Sequence, residues 1–183
     1  QDMGFGVLLV GYRGFGINPG KPNEKGLYAD ARAALSILDK EDVKSRSIIL
    51  YGESLGTAVA TNMATELASA GNPATALILE APFPSVTAVA KYHYPLVPVK
   101  WLLKDHFDQA SRISKISAPV LIFHGGKDKT VPINLGKVLF DKALVPKESR
   151  WFENAGHNNL FDFGAGELSV KFIKRIVSRT EHT

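Results

Sequence analysis

Short, continuous apolar runs alternate with longer stretches of helical spacing from one end of the 183-residue chain to the other. Residues 6–10 (GVLLV), 47–51 (SIILY), 76–80 (ALILE), 119–124 (PVLIFH) and 149–153 (SRWFE) are rich in β-branched and aromatic side chains, and each predicts a strand. Between them, residues 24–40 put Leu27, Ala31, Ala34, Leu35 and Leu38 on one helical stripe. Residues 57–68 are alanine-rich without Pro or Gly and predict a second helix, stopped near Gly71-Asn72-Pro73. Residues 133–144 and 167–178 predict two more, the last turning Leu168, Phe172, Ile173, Ile176 and Val177 inward. Strands that are apolar throughout are buried on both faces. Separated by helices, they imply an α/β fold with a doubly wound, mostly parallel sheet. No repeat or low-complexity tract interrupts the pattern, so residues 1–183 are expected to form a single domain. The one long departure is 82–117, where Pro84, Pro95 and Pro98 break any long helix and Phe83, Tyr92, Tyr94, Trp101 and Phe107 cluster. A segment inserted there overhangs the carboxyl ends of the strands, where ligands bind in such sheets. It is expected to act as a short cap, with Phe83, Tyr92, Tyr94 and Trp101 lining an apolar substrate pocket.

The second strand runs into Gly52-Glu53-Ser54-Leu55-Gly56 and then directly into a helix. Chance alone places G-x-S-x-G in a chain of this length about 0.06 times, at roughly 0.07 usage for Gly and for Ser. The flanking strand and helix sharpen the signal. A serine at a strand-to-helix corner takes a strained backbone, and glycines two positions either side leave room for the turn. The hydroxyl is then lifted above the sheet. This stretch resembles the nucleophile elbow of the α/β-hydrolases, with Ser54 as nucleophile and the Leu55 N–H, at the helix start, as one oxyanion donor.

A serine needs a base within hydrogen-bond reach and an acid behind the base. In the fold it resembles, the partners follow in the order serine, acid, histidine, each in a loop after a strand. His124-Gly125-Gly126-Lys127-Asp128 offers Asp128 as the acid, and Asn154-Ala155-Gly156-His157 offers His157 as the base. His124 is expected to buttress the loop of Asp128. His93 and His106 fall in the inserted segment and His182 in the terminal tail, none at metal-ligand spacing. Asp105 and Asp108 are alternative acids, and Glu53 is expected to point away from Ser54. Gly125-Gly126 lacks the lysine–threonine pattern of a phosphate loop.

With those residues in view, the chain resembles the α/β-hydrolase superfamily over nearly its whole length, closest to its small-capped esterase, depalmitoylase and serine-aminopeptidase-like branch. The matching stretches are Gly11-Tyr12-Arg13-Gly14-Phe15-Gly16, Gly52-Glu53-Ser54-Leu55-Gly56, His124 to Asp128 with Val131-Pro132, and Ala155-Gly156-His157. The resemblance implies an acyl-enzyme mechanism without metal or organic cofactor. Relatives often carry aspartate where Gly11 stands and serine near Asn18. They also begin with further strands, whose third loop supplies a second oxyanion donor. The chain is therefore expected to be part of a longer hydrolase, truncated at its N-terminus. Its sheet should have a gap between residues 6–10 and 47–51, or pair the two directly.

Composition narrows the partners. The chain is 45% hydrophobic and 22% charged, as a globular domain should be, with net charge +4. The densest basic cluster, Lys171-Phe172-Ile173-Lys174-Arg175, interleaves apolar residues at helical spacing and reads as a solvated helix face. Neither nucleic-acid binding nor membrane association is evident, and no run reaches the 18 apolar residues of a span. Cysteine is absent, which removes thiolate chemistry and leans toward a cytoplasmic setting. The leading expectation is a serine hydrolase of carboxylic esters or thioesters. A peptidase of short peptides is the alternative, favoured by acidic residues near the site. A non-catalytic binding domain with an incomplete oxyanion hole is the third.

Overall fold

A computed structural model describes residues 4–180. The chain divides into two compact units, Gln1–Lys44 and Ser45–Thr183. In the first, helix α1 spans Glu24–Lys40, and its N-cap Asn23 accepts the Gly26 N–H at 2.8 Å. The loop before it is anchored by Arg13, whose guanidinium forks onto Asp30 of α1 at 2.6 and 3.0 Å. Residues 6–10, expected as a strand, form none. Val7 and Leu9 are 65% and 87% exposed. Strand propensity is realised only where a neighbour completes the backbone ladder. Among the described residues, the strand that carries the elbow pairs with one neighbouring strand.

The second unit holds a four-stranded parallel sheet: β1 (Ile49–Glu53), β2 (Ala76–Glu80), β3 (Val120–Gly125) and β4 (Lys147–Phe152), in that spatial order. Alternate residues of the central strands feed opposite faces. Leu77, Leu79, Val120 and Ile122 pack with Ala60 and Ala64 of α2 (Leu55–Ser69) and Leu139 of α5 (Ile133–Lys142). Ile78, Leu121 and Phe123 pack on the other face with Phe172 and Ile176 of α6 (Ala165–Thr180). Each such side chain contributes roughly 1.5–3 kcal/mol on burial. The middle of the sheet is thus a firm platform for whatever its strand ends carry.

Between β2 and β3 lie two short helices, α3 (Val86–His93) and α4 (Val99–Leu102), in the segment expected as a cap. Gln109 fixes it to α2. Fully buried, it donates to Thr57 Oγ1 at 3.0 Å and accepts from Thr61 Oγ1 at 3.1 Å. Both polar ends of a buried amide are satisfied, so the contact locates the segment without leaving an orphan.

Candidate active site

At the end of β1 the chain turns through Ser54, whose φ of 48° and ψ of −118° are positive-φ geometry for a residue with a side chain. Such a conformation costs on the order of 1–3 kcal/mol and persists only where its surroundings hold it. Here Ser54 N–H donates to Glu80 O at 2.9 Å, and Ser54 O accepts Thr57 N–H at 3.0 Å. Gly52 permits the turn, since a Cβ there would lie 2.5 Å from Gly56 O and 2.7 Å from Thr57 Cα. Those contacts are backbone and cannot step aside. Gly52→Ala is therefore expected to destabilise the fold by about 1–3 kcal/mol, as overpacking does. Urea denaturation monitored by circular dichroism checks it, and an unchanged midpoint would remove Gly52 from the explanation.

The loops after β3 and β4 are laced together at their bases. Gly126 N–H donates to Phe152 O at 2.8 Å and Lys127 N–H to Ala155 O at 2.9 Å. One loop presents Asp128 and the other His157. Asp128 Oδ1 accepts the N–H groups of Thr130 and Val131, both at 2.8 Å. Asp128 Oδ2 lies 2.7 Å from His157 Nδ1, and His157 Nε2 lies 3.0 Å from Ser54 Oγ. A carboxylate only accepts, so the proton of this pair sits on Nδ1 and leaves Nε2 free to accept from Ser54. Ser54, His157 and Asp128 thus meet in one hydrogen-bonded line.

Burial alone would push the Asp128 carboxyl up. The bonds from His124, His157 and Val131 N–H outweigh it and hold the group well below the usual carboxylate range. His157 is raised, first by its bond to Asp128, against a lowering by burial, with Asp128, Glu53 and Glu80 adding their charges. The two shifts act in opposite pH windows. The Asp128 contribution to stability is present above about 3.9 and is lost as pH falls; the His157 contribution is full below about 6.5 and is lost as pH rises through its folded value.

Two groups beside this line escaped the reading of the sequence. Glu80, 2% exposed, closes β2, and Tyr51 of β1 donates its hydroxyl to Glu80 Oε2. Burial, chiefly, raises the Glu80 carboxyl. The signal was legible in principle: a carboxylate ending an otherwise apolar buried strand lies where ligands bind in such sheets. Other residues considered from the sequence lie elsewhere. Phe83 is buried, while Tyr92, Tyr94 and Trp101 are 59%, 62% and 89% exposed. Asp108 Oδ1 accepts from Ser111 N–H at 3.2 Å within a local turn. His93 Nε2 lies 2.9 Å from Thr130 O, tying the end of α3 to the loop of Asp128. His106 Nδ1 lies 2.8 Å from Thr87 Oγ1, and His182 is outside the described residues. Leu55 begins α2, where backbone N–H groups have no partner within the helix. Among the described residues no three His, Cys, Asp or Glu side chains are grouped to hold a metal ion, and no helix is long and apolar enough to cross a membrane.

Residues 1–111 match the family model described as serine aminopeptidase, S33. An uncharacterised protein of Mycobacterium tuberculosis is 41% identical over 98% of the chain and 62% of its own length. The human alpha/beta hydrolase domain-containing protein 17B is 37% identical over 93% of the chain and 54% of its own length. The lysophosphatidylserine lipase ABHD12 of Danio rerio is 36% identical over 80% and 42% respectively. The chain thus spans between about two fifths and three fifths of these relatives. Among solved structures, an alpha-beta hydrolase from Vibrio vulnificus superposes with a TM-score of 0.68 at 22% identity, over 86% of this chain and 60% of that one. An acetyl xylan esterase from Paenibacillus sp. R4 gives 0.66 at 24% identity, over 82% and 52%. At those identities the likeness is one of fold.

Proposed function

The chain belongs to the serine aminopeptidase S33 family of the α/β-hydrolase superfamily, and from that premise we propose that it is a serine hydrolase of carboxylic esters or thioesters acting through an acyl-enzyme. In this reading residues 1–183 work as one α/β-hydrolase domain with 82–117 as its cap. The observation that carries it is the line from Ser54 Oγ through His157 to Asp128, at 3.0 and 2.7 Å.

His157 Nε2 takes the hydroxyl proton as Ser54 Oγ attacks the acyl carbon. Asp128 holds the ring in the tautomer that leaves Nε2 free, and stabilises the imidazolium that forms. The carbonyl oxygen becomes an oxyanion, received by the Leu55 N–H at the start of α2. His157 then returns its proton to the leaving alcohol or thiol, and water repeats the sequence on the acyl-enzyme. The lysophosphatidylserine lipase among its relatives, an ester hydrolase by name, lies on the side of this reading.

A peptidase is the second reading, favoured by Glu53, an exposed carboxylate whose charge acts on His157 and which would suit a substrate amino terminus. Purified protein offered a p-nitrophenyl ester, an acyl thioester and an aminoacyl amide separates the two. Turnover of the first two is expected; cleavage of the amide alone would transfer the assignment to peptidase.

The base must be unprotonated to work. Since Asp128 raises His157, kcat/KM is expected to climb with pH along one limb whose midpoint lies above the ordinary histidine value of about 6.5. A profile from pH 5 to 9 measures it. A midpoint below that value would mean the ring is not held by a charged Asp128.

A further inference from the structure

Asp128 has a second imidazole against it. His124, at the end of β3, is wholly buried, with Nε2 2.7 Å from Val131 O and 3.2 Å from Asp128 Oδ2. Val131 O can only accept, so Nε2 carries a proton, donated to that carbonyl with the carboxylate oxygen 3.2 Å away. Oδ2 is also the oxygen that meets His157 Nδ1. One carboxylate oxygen therefore sits between two imidazole rings.

Packing alone does not explain a histidine here. Its Nδ1 is buried without a hydrogen-bond partner among the described residues, and a buried acceptor left unpaired is costly. Leucine or phenylalanine would fill the volume without that cost. The helix behind it makes a matching concession. Gly136, inside α5, is a poor helix former, yet a Cβ there would lie 2.4 Å from His124 Nδ1. The helix has given up a side chain so that the ring can lie against it. Two unfavourable choices, one on β3 and one on α5, converge on placing an N–H beside Asp128 Oδ2.

We infer that His124 is a positioning residue for the site: its Nε2–H fixes the Asp128 carboxylate and shares Oδ2 with His157, so that it sets how tightly Asp128 binds the His157 proton. The inference rests on the serine-hydrolase reading for its effect on rate, but not for its effect on His157 itself. The direction follows from the shared oxygen. A donor on Oδ2 draws electron density from it. Without that donor, Oδ2 holds the imidazolium more strongly, and the ring is harder to deprotonate. Glu53 and Glu80 also act on His157, and neither is altered by the substitutions below.

His124→Phe keeps a ring and removes the donor. Gly136→Ala keeps the imidazole and pushes it off its seat, in a helix that alanine intrinsically favours. Each is expected to lower kcat about tenfold with KM within about twofold, and to raise the midpoint of the kcat/KM–pH limb by about half a unit or more, as losing one charge-assisted bond should. The His157 ring titration, followed by NMR, should move upward by the same amount. If His124→Phe does not fold, Gly136→Ala is read alone. A folded variant that loses thermal stability while both midpoints stay at the parent value would overturn the inference and leave His124 a packing residue. If the parent neither hydrolyses esters nor reacts with a fluorophosphonate, the hydrolase reading fails, and the NMR titration still decides the role of His124.

Discussion

Ser54→Ala is expected to abolish covalent labelling by a fluorophosphonate and to lower kcat on a p-nitrophenyl ester by on the order of 10⁴ or more. The size follows from what is lost. With the hydroxyl gone there is no acyl-enzyme, and the remaining groups can only polarise a substrate toward water. The strained turn at φ 48° should survive, because Gly52 and the Ser54 backbone bonds to Glu80 O and Thr57 N–H do not involve the hydroxyl. The loss should therefore come without a fall in melting temperature. Intact-mass spectrometry after labelling decides it: one adduct on the parent and none on the variant. An adduct that survives the substitution would place the nucleophile elsewhere and remove the main support for the proposed chemistry.

Asp128→Asn should cost nearly as much rate by a different route. A carboxamide that still accepts from Thr130 and Val131 N–H through its oxygen presents an NH₂ toward His157 Nδ1. That amide favours the ring with its proton on Nε2, where it can no longer take one from Ser54. A fall of about 10⁴ in kcat is expected for this wrong tautomer, with KM little changed. The acidic limb should also move down in pH, because the largest cause raising His157 is its bond to Asp128. Combining Asp128→Asn with Ser54→Ala should cost little more than Ser54→Ala alone, since groups that act as a unit do not add. Parental activity in Asp128→Asn would hand the orienting role to another carboxylate, with Glu53 the next in influence on His157.

The order of strands, helices and loops could be read directly because each central strand is apolar on both faces and each helix is amphipathic or alanine-rich. The reading of residues 76–80 coincides with β2. For β1, the extended run proved to reach Glu53 rather than stop at Tyr51, because Gly52 and Glu53 stay in the ladder up to the turn. Residues 6–10 misled for the opposite reason. Their side chains prefer a strand, but a strand is a relation between two segments, and preference alone supplies only one of them. The line Ser54–His157–Asp128 was legible because loops at the carboxyl ends of parallel strands converge. The partners of that line were not. Tyr51 reaches Glu80 because the register sets Tyr51 opposite Ile78, two residues before Glu80 on the same face of β2. No pattern within either strand reports that offset. In the same way, the second contact of His124 depends on how closely α5 approaches β3, and a single glycine in a helix does not announce what it makes room for.

The sheet order also has a consequence for how the protein is made. Among the described residues, every strand pairs with its neighbour in the chain, from β1 to β4, so this sheet can be laid down in the order of synthesis. Ser54 and His157, however, are 103 positions apart. At about 5–20 residues per second on the ribosome, the serine waits roughly 5–20 s for its base to be polymerised, and longer for β4 to dock and present it. Throughout that interval its hydroxyl is an ordinary alcohol. On the proposed chemistry the serine becomes reactive only when β4 has joined, so a copy stalled before that point would carry no hydrolase activity.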